Sequence, residues 1–304
     1  MNPLIAIVGS GSIGSYYGAR LALAGEDVRF LMRGDLAAVR AHGITLRERD
    51  GVRRLAPVAA FATTEEIGPV DLVVITLKTT ANGDLARLLP PLLGPGTMVL
   101  TLQNGLGSDE FLAGLVGAER VLGGLCFISI MRTAPGEVTG YHSPGVLTLG
   151  EFGRPVLDRT RSVAAQFSRA GVDCRPVDSL AEARWRKLVW NIPFNGLTLE
   201  HGITVKDVMA DAALTAEVRG LMDEVAGAAG RLGFVIPEKF IQSQIDVTRP
   251  MGPYRPSSAV DHLAGREVEV EAIWGEPLRR AQAAGAAMPR LARLYGRLKE
   301  LTAR

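Results

Sequence analysis

The chain is short of the features that mark several classes of protein. It has two cysteines, Cys126 and Cys174, with no CxxC pair and no histidine beside either. That argues against a disulfide framework and against a zinc site. Its four histidines, His42, His142, His201 and His262, match no ligand spacing and read as ordinary polar residues. No apolar run reaches the roughly 20 residues of a membrane-spanning helix. Met1-Asn2-Pro3 runs straight into a strand-like segment, leaving no room for a signal peptide. Lys and Arg number 34 against 32 Asp and Glu, and no basic stretch is long enough to suggest a nucleic-acid partner. Aromatic residues are only 6% of a chain that is 47% hydrophobic, so its cores must be aliphatic and Ala-rich. A cytoplasmic protein is expected. At 304 residues it exceeds the size at which a single core usually keeps growing, so two domains are the default.

What is present begins at the N-terminus. Leu4-Ile5-Ala6-Ile7-Val8 is an apolar run of strand length, followed by Gly9-Ser10-Gly11-Ser12-Ile13-Gly14 and a small-residue helix over Ser15–Ala24. In this pattern Gly9 permits the tight turn, Gly11 lets backbone approach a pyrophosphate, and Gly14 lets the helix pack against the strand. The helix N-terminus then offers unpaired N–H groups and a positive dipole end to phosphates. Glycine-rich turns also occur with no ligand or in methyltransferase-like sites. Here the preceding strand, the following helix and a second strand at Val28–Leu31 favour a dinucleotide. That second strand ends Leu31-Met32-Arg33-Gly34 with no acid at its tip, whereas an NAD site usually places Asp or Glu there. A guanidinium can grip a 2′-phosphate through charge-assisted hydrogen bonds, so Arg33 favours NADP(H). The alternative is a solvated surface arginine.

The first part of the chain alternates strand and helix. Asp71–Leu77 and Thr97–Leu102 are continuous apolar runs, as expected of parallel strands covered on both faces, with a helix over Leu85–Leu93 between them. Gly123–Ile130 and Gly145–Leu149 read as later strands, at least partly antiparallel, separated by turn signals at Pro135-Gly136 and Ser143-Pro144-Gly145. Arg159–Arg169 reads as a helix and Val172–Pro176 as a last strand. After Asp178 strand signals stop. Leu180–Leu199, Val205–Leu232, Pro237–Thr248 and Ala259–Ala284 are helical in length and period, with Arg249–Ser257 as a loop. The fold class expected is α/β: a Rossmann-type dinucleotide-binding domain over residues 1–178, then an all-α domain over residues 179–304. The Ala- and Leu-rich helical surfaces could form a homodimer.

In the first of these helices Lys187, Asn191 and Asn195 recur at i, i+4 and i+8, and so share one face. One ammonium and two carboxamides suit a small polar carbonyl compound. Hydride arriving at a 2-oxo carbon builds negative charge on the oxygen, where a proton donor must wait. Pro193 within the helix removes a backbone hydrogen bond and should bend it. Taken singly, Lys187 is a surface lysine, and the asparagines are polar core groups bonding nearby carbonyls.

The combination of GSGSIG, Thr76-Leu77-Lys78, Gln103-Asn104-Gly105, the run from Trp185 to Thr198, and Arg266–Glu271 continuing to Gly275 resembles the ketopantoate reductase family across nearly the whole chain. The resemblance implies NADPH-dependent reduction of 2-dehydropantoate to pantoate. It implies that Lys187 is the general acid and that Asn191 and Asn195 contact substrate. It places Asn104 at nicotinamide and substrate, Ser258 on the substrate carboxylate, Glu269 near substrate or cofactor ribose, and Lys78 beside the cofactor. Without it, Asn104 is a turn residue before Gly105, and Glu269 lies among alternating charges on an exposed helix face.

The sequence also departs from the family. Ser257-Ser258-Ala259-Val260-Asp261 lacks a usual Gln, Asn82 stands where a Gln is common, and Trp274-Gly275-Glu276-Pro277 closes a helix that usually ends in smaller residues. In the C-terminal half these changes surround the substrate end, which leaves open another branched 2-oxo acid or a 3-oxo compound. A non-catalytic NADPH-sensing module would keep the glycine loop and Arg33 but has no need of Lys187, Asn191 and Asn195 together.

Overall fold

The computed structural model describes residues 3–303, apart from the side chains of residues 142–144, among them His142. It divides into two compact units: the chain up to Gln103 together with Ser108–Leu180, and Asn104–Gly107 together with the chain from Ala181 on.

The first unit is built on ten strands: β1 (Leu4–Val8), β2 (Asp27–Leu31), β3 (Ile44–Glu48), β4 (Gly51–Leu55), β5 (Ala60–Phe61), β6 (Val70–Ile75), β7 (Leu93–Thr101), β8 (Val121–Ala134), β9 (Glu137–Glu151) and β10 (Asp173–Pro176). Helices α1 (Ser12–Leu23), α2 (Leu36–His42), α3 (Thr64–Ile67), α4 (Leu85–Leu88), α5 (Ser108–Val116) and α6 (Asp158–Arg169) accompany them. The strand order is β4-β3-β9-β8-β7-β6-β1-β2-β5, with β10 paired to β9. From β5 to β8 all pairs are parallel. The chain leaves β1 for β2 on one side and later returns to β6 on the other. That reversal is the place where open α/β sheets bind ligands. Alternate residues of β1 serve the two faces: Ile5 and Ile7 pack with Tyr16 and Tyr17 of α1, Ala6 and Val8 with Leu85 and Leu112.

Two expectations need correction here, and one pair of strands was missed. The helix read over Leu85–Leu93 is only α4, flanked by 3-10 turns, because Pro90 and Pro91 cannot continue it. No turn forms at Ser143-Pro144-Gly145: β9 runs through it. Register shifts opposite this stretch, around Ser129, absorb the irregularity, and beyond β8 it pairs with β3 only at 137–139 and with β10 only at 146–149. A proline is tolerated on such an unpaired edge. Strands β3 and β4 went unread because their Arg- and Glu-rich sequence hides the apolar alternation. They are pinned to α1 by Glu48, which accepts a hydrogen bond from Tyr16 (2.6 Å) and pairs with Arg20 and Arg53.

The second unit holds α7 (Leu180–His201), α8 (Val205–Ala210), α9 (Ala212–Arg231), α10 (Glu238–Thr248), α11 (Ser257–Leu263), α12 (Glu276–Ala283) and α13 (Pro289–Thr302). The single helix expected over Val205–Leu232 breaks at Asp211, whose carboxylate accepts from the N–H groups of Ala213 (2.7 Å) and Leu214 (2.9 Å) and so starts α9. The helix expected over Ala259–Ala284 is three pieces: α11, one π-helical turn at Glu271–Gly275, and α12. Helix α13 had no sequence reading. Glu224 fastens it by accepting from the N–H groups of Arg290 and Leu291 at 2.9 and 3.0 Å. Among the described residues no helix is long and apolar enough to cross a membrane.

Candidate active site

In the first unit the glycine loop joins β1 to α1. Gly9 has φ +102°, and a Cβ there would lie 2.6 Å from the Leu77 backbone nitrogen. A Cβ on Gly14 would collide with the Gly9 carbonyl oxygen and the Thr76 hydroxyl. Gly11 differs: a Cβ would meet nothing within 4 Å, and the residue is exposed. It is also the residue before α1, and it supplies no side-chain cap, so the helix N-terminus is left open. Ser10 braces the loop by donating to the Leu31 carbonyl of β2 (2.9 Å), and Ser15 donates to the Ser10 carbonyl (3.0 Å). Ser12 and Ile13 are half-buried in the first turn of α1. A rigid turn, an open helix end and free space above Gly11 fit a dinucleotide pyrophosphate.

Arg33 follows β2, is exposed, and makes no side-chain hydrogen bond or ion pair with any described residue. Two residues on, Asp35 is engaged by Arg132 of β8, whose guanidinium Nη1 donates to Asp35 Oδ1 at 2.5 Å. Lys78 is half-buried just before the 3-10 turn Thr79–Asp84. Asn82 in that turn accepts from the Gln103 carboxamide at 2.7 Å.

The second unit gathers the side-chain chemistry. Helix α7 runs unbroken through Pro193, and the Ile192 carbonyl accepts from the buried Trp274 indole N–H at 3.0 Å. On its polar face Lys187 Nζ donates to Asn104 Oδ1 at 2.7 Å. Asn195, buried, accepts from the Ser258 backbone N–H at 3.3 Å, which turns its own NH₂ group outward from that bond. Asn191 is also buried, yet its carboxamide bonds to none of the described residues. The residue keeps 7% of its surface and its carboxamide atoms are not among the buried unpartnered ones, so the group reaches solvent with its donors and acceptor open to a ligand. Lys187 with Asn104, and Asn195 with Ser258, are thus brought together pairwise along one helix. Glu269 is half-buried between buried Val268 and Val270, and its carbonyl accepts from Ile273 N–H at 3.1 Å at the entry to the π turn.

How Asn104 is held was not legible in the sequence. The Glu276 N–H bonds the Glu271 carbonyl in π register, so the Ala272 carbonyl would next pair with residue 277. That residue is Pro277, which has no N–H. The Ala272 carbonyl instead accepts from Leu106 N–H at 2.9 Å. Leu106 is buried in the helical core, and Gly105 has φ +80° with no space for a Cβ against the Ala272 carbonyl. The buried Arg184, one turn before Lys187, lies 3.5 Å from the Gly105 carbonyl. The departure at Trp274–Pro277 therefore has a structural consequence: it frees the acceptor that fixes the Asn104 loop.

Two family models match the chain, one described as "Ketopantoate reductase PanE/ApbA" over residues 5–154 and one as "Ketopantoate reductase PanE/ApbA C terminal" over residues 179–302. The 2-dehydropantoate 2-reductase of Nostoc sp. is 39% identical, across 98% of this chain and 95% of its own. Among solved structures, 2-dehydropantoate 2-reductase from Geobacter metallireducens is similar with a TM-score of 0.96 and 44% identity, over 98% of this chain and 99% of that one. A D-mandelate dehydrogenase with NADH and anilino(oxo)acetate reaches a TM-score of 0.90 over 98% of this chain and 97% of its own, but at 21% identity it shares the fold alone.

Proposed function

The chain belongs to the ketopantoate reductase family of oxidoreductases, and from that premise we propose that it reduces 2-dehydropantoate to pantoate with NADPH, a step of pantothenate biosynthesis. NADPH, when bound, supplies the hydride to the 2-oxo carbon. The chain's own residues do the rest. Backbone N–H groups from Gly9 to Gly14 take the pyrophosphate, Arg33 takes the 2′-phosphate, and Lys78 lies beside the cofactor. Lys187 donates its proton to the oxygen that becomes the product hydroxyl, with Asn104 fixing the ammonium and reaching the nicotinamide. Asn191, Asn195 and Ser258 orient the hydroxy acid and its carboxylate, and Glu269 contacts substrate or ribose. Residues 1–178 would serve the nucleotide and 179–304 the substrate, except for the Asn104 loop.

One observation carries this reading: the 2.7 Å contact of Lys187 Nζ with Asn104 on a helix face that also presents Asn191, whose carboxamide reaches solvent and bonds to none of the described residues. A solvated lysine has no reason to sit in such company. NADPH is favoured over NADH because Met32-Arg33-Gly34 ends β2 without an acid and Arg33 is uncommitted. The departures near Ser258 and Trp274 support a second reading, a different branched 2-oxo acid. Steady-state NADPH oxidation with 2-dehydropantoate and a panel of branched 2-oxo acids decides between them. The highest kcat/KM is expected for 2-dehydropantoate. A higher value for another acid transfers the activity to that acid, and tight NADPH binding with no oxidation of any acid leaves only a sensing role.

A further inference from the structure

We propose that Arg132 is a second determinant of NADPH selection, acting on the 2′-phosphate together with Arg33. This rests on the dinucleotide reading above. The carboxylate of Asp35 is displaced from its usual partners. Asp35 occupies the position before α2, where an aspartate normally accepts from the first free N–H groups of its own helix. Here it makes no such bond. Its Oδ1 instead accepts from Arg132 Nη1 at 2.5 Å, and its Oδ2 lies 3.4 Å from the Gly136 backbone nitrogen. The β8–β9 hairpin has taken the carboxylate two residues after Arg33 for itself.

Arg132 is fixed at both ends. Its backbone N–H donates to Ser12 Oγ at 2.9 Å, in the first turn of α1, where the pyrophosphate is read to lie. Its guanidinium reaches past the end of β2 to Asp35, two residues beyond Arg33. The residue thus extends from the pyrophosphate end of the loop to the ribose end. A guanidinium carries five N–H donors, and Asp35 takes one of them. The Arg132 side chain is 46% exposed while that of Asp35 is 11% exposed, so it is the arginine and not the acid that presents surface to solvent. This arrangement has two effects of the same sign. It adds a cation for a doubly charged phosphate, and it occupies Asp35, an acid two residues after Arg33 that would repel that phosphate or bond a free ribose hydroxyl.

The test measures equilibrium binding of NADPH and NADH, and of 2′,5′-ADP against 5′-AMP, to wild type, Arg132→Ala, Arg132→Lys and the double variant Arg132→Ala/Asp35→Asn. Loss of hydrogen bonds to a charged group predicts that Arg132→Ala weakens NADPH and 2′,5′-ADP by about tenfold or more, with NADH and 5′-AMP changed by less than about threefold. The double variant should recover part of the NADPH affinity, because the exposed carboxylate is gone. Arg132→Lys keeps the charge and the backbone bond to Ser12. It should lose less than Arg132→Ala, and it provides the reading if the alanine variant does not fold. Equal losses for both dinucleotides, or none, overturn the proposal. If wild type binds neither dinucleotide, the functional reading fails with it. If wild type prefers NADPH and Arg132→Ala leaves that preference intact, only the role of Arg132 falls.

Discussion

The two units build their sites from different materials. The glycine loop is a site made of backbone: its specificity lies in where side chains are missing, at Gly9 and Gly14 because Leu77, Thr76 and the loop's own carbonyl leave no room, and at Gly11 because the space above it is open. The α7 site is made of side chains held by other side chains and by single backbone groups, such as Ser258 N–H on Asn195 and Ala272 C=O on Leu106 N–H. The first kind of site should break as the fold breaks. The second should lose function one contact at a time while the fold survives.

Substitutions at two glycines give the largest contrast. Gly14→Ala must displace the Gly9 carbonyl, an overpacking that costs about 1–3 kcal/mol or more, so both melting temperature and NADPH binding should fall sharply. Gly11→Ala meets open space and should change stability by less than about 0.5 kcal/mol, while NADPH binding drops because the new methyl occupies the approach to the phosphates. Paired thermal melts and titrations separate the two. Comparable destabilisation by both would mean that the loop is a structural turn. Next in size, Arg33→Ala should shift the NADPH-over-NADH preference by about 10- to 150-fold, the value of hydrogen bonds to a charged group. Equal losses for both cofactors would assign Arg33 some other task. In the helical unit Asn191→Ala should raise KM by about 2- to 10-fold with a smaller change in kcat and no loss of fold, since a neutral carboxamide mostly orients the ground state.

The smallest effect is a difference in acid stability. In the first unit the Glu48 side chain is almost fully covered. Burial alone would raise its pKa, but the hydrogen bonds from Arg20 and Tyr16 and the charges of Arg20 and Arg53 hold it below its ordinary 4.5. Glu151 behaves likewise against burial through Arg159, Thr160 and Arg154. A depressed folded-state pKa contributes stability that is complete above the ordinary value and is lost as pH falls through the folded one. In the second unit, Glu271 and Glu276 are also held low, against burial, by partners that include Arg279, but their side chains are 59% and 27% exposed. Solvent screens such pairs. Acid should therefore loosen the first unit before the second. All three tryptophans, Trp185, Trp190 and Trp274, lie in the second unit, so circular dichroism should begin to change below pH 4.5 before tryptophan emission does. The reverse order would contradict the comparison.

The same contrast explains what the sequence disclosed. The glycine loop and central strands were readable because their pattern is local, a strand, glycines at fixed spacing and a helix, although the atoms that crowd Gly9 come from Thr76 and Leu77 after β6. Lys187, Asn191 and Asn195 were readable because helical spacing places them on one face. The partner of Ser258, the clamp on Leu106 and the contact of Arg132 with Asp35 were not, since each joins residues far apart in the chain. Asp35 is an instructive case. From sequence it is an ordinary residue before a short helix, and only the long β8–β9 hairpin, read too short, diverts it. Pro277 gave a visible signal, a departure from the family pattern, but its consequence depended on the π turn that precedes it.

The central claim is that Lys187 supplies the proton while the glycine loop supplies the grip on the cofactor. Its most direct test is kcat at saturating 2-dehydropantoate and NADPH for wild type and Lys187→Ala, with the NADPH dissociation constant measured on the same preparations. Positioned acids contribute about 10²- to 10⁴-fold, and a fall in kcat within that range with nearly unchanged NADPH affinity is the predicted result. A loss below about fivefold, well under that range, would remove Lys187 from the chemistry and leave the 2.7 Å contact with Asn104 a structural one.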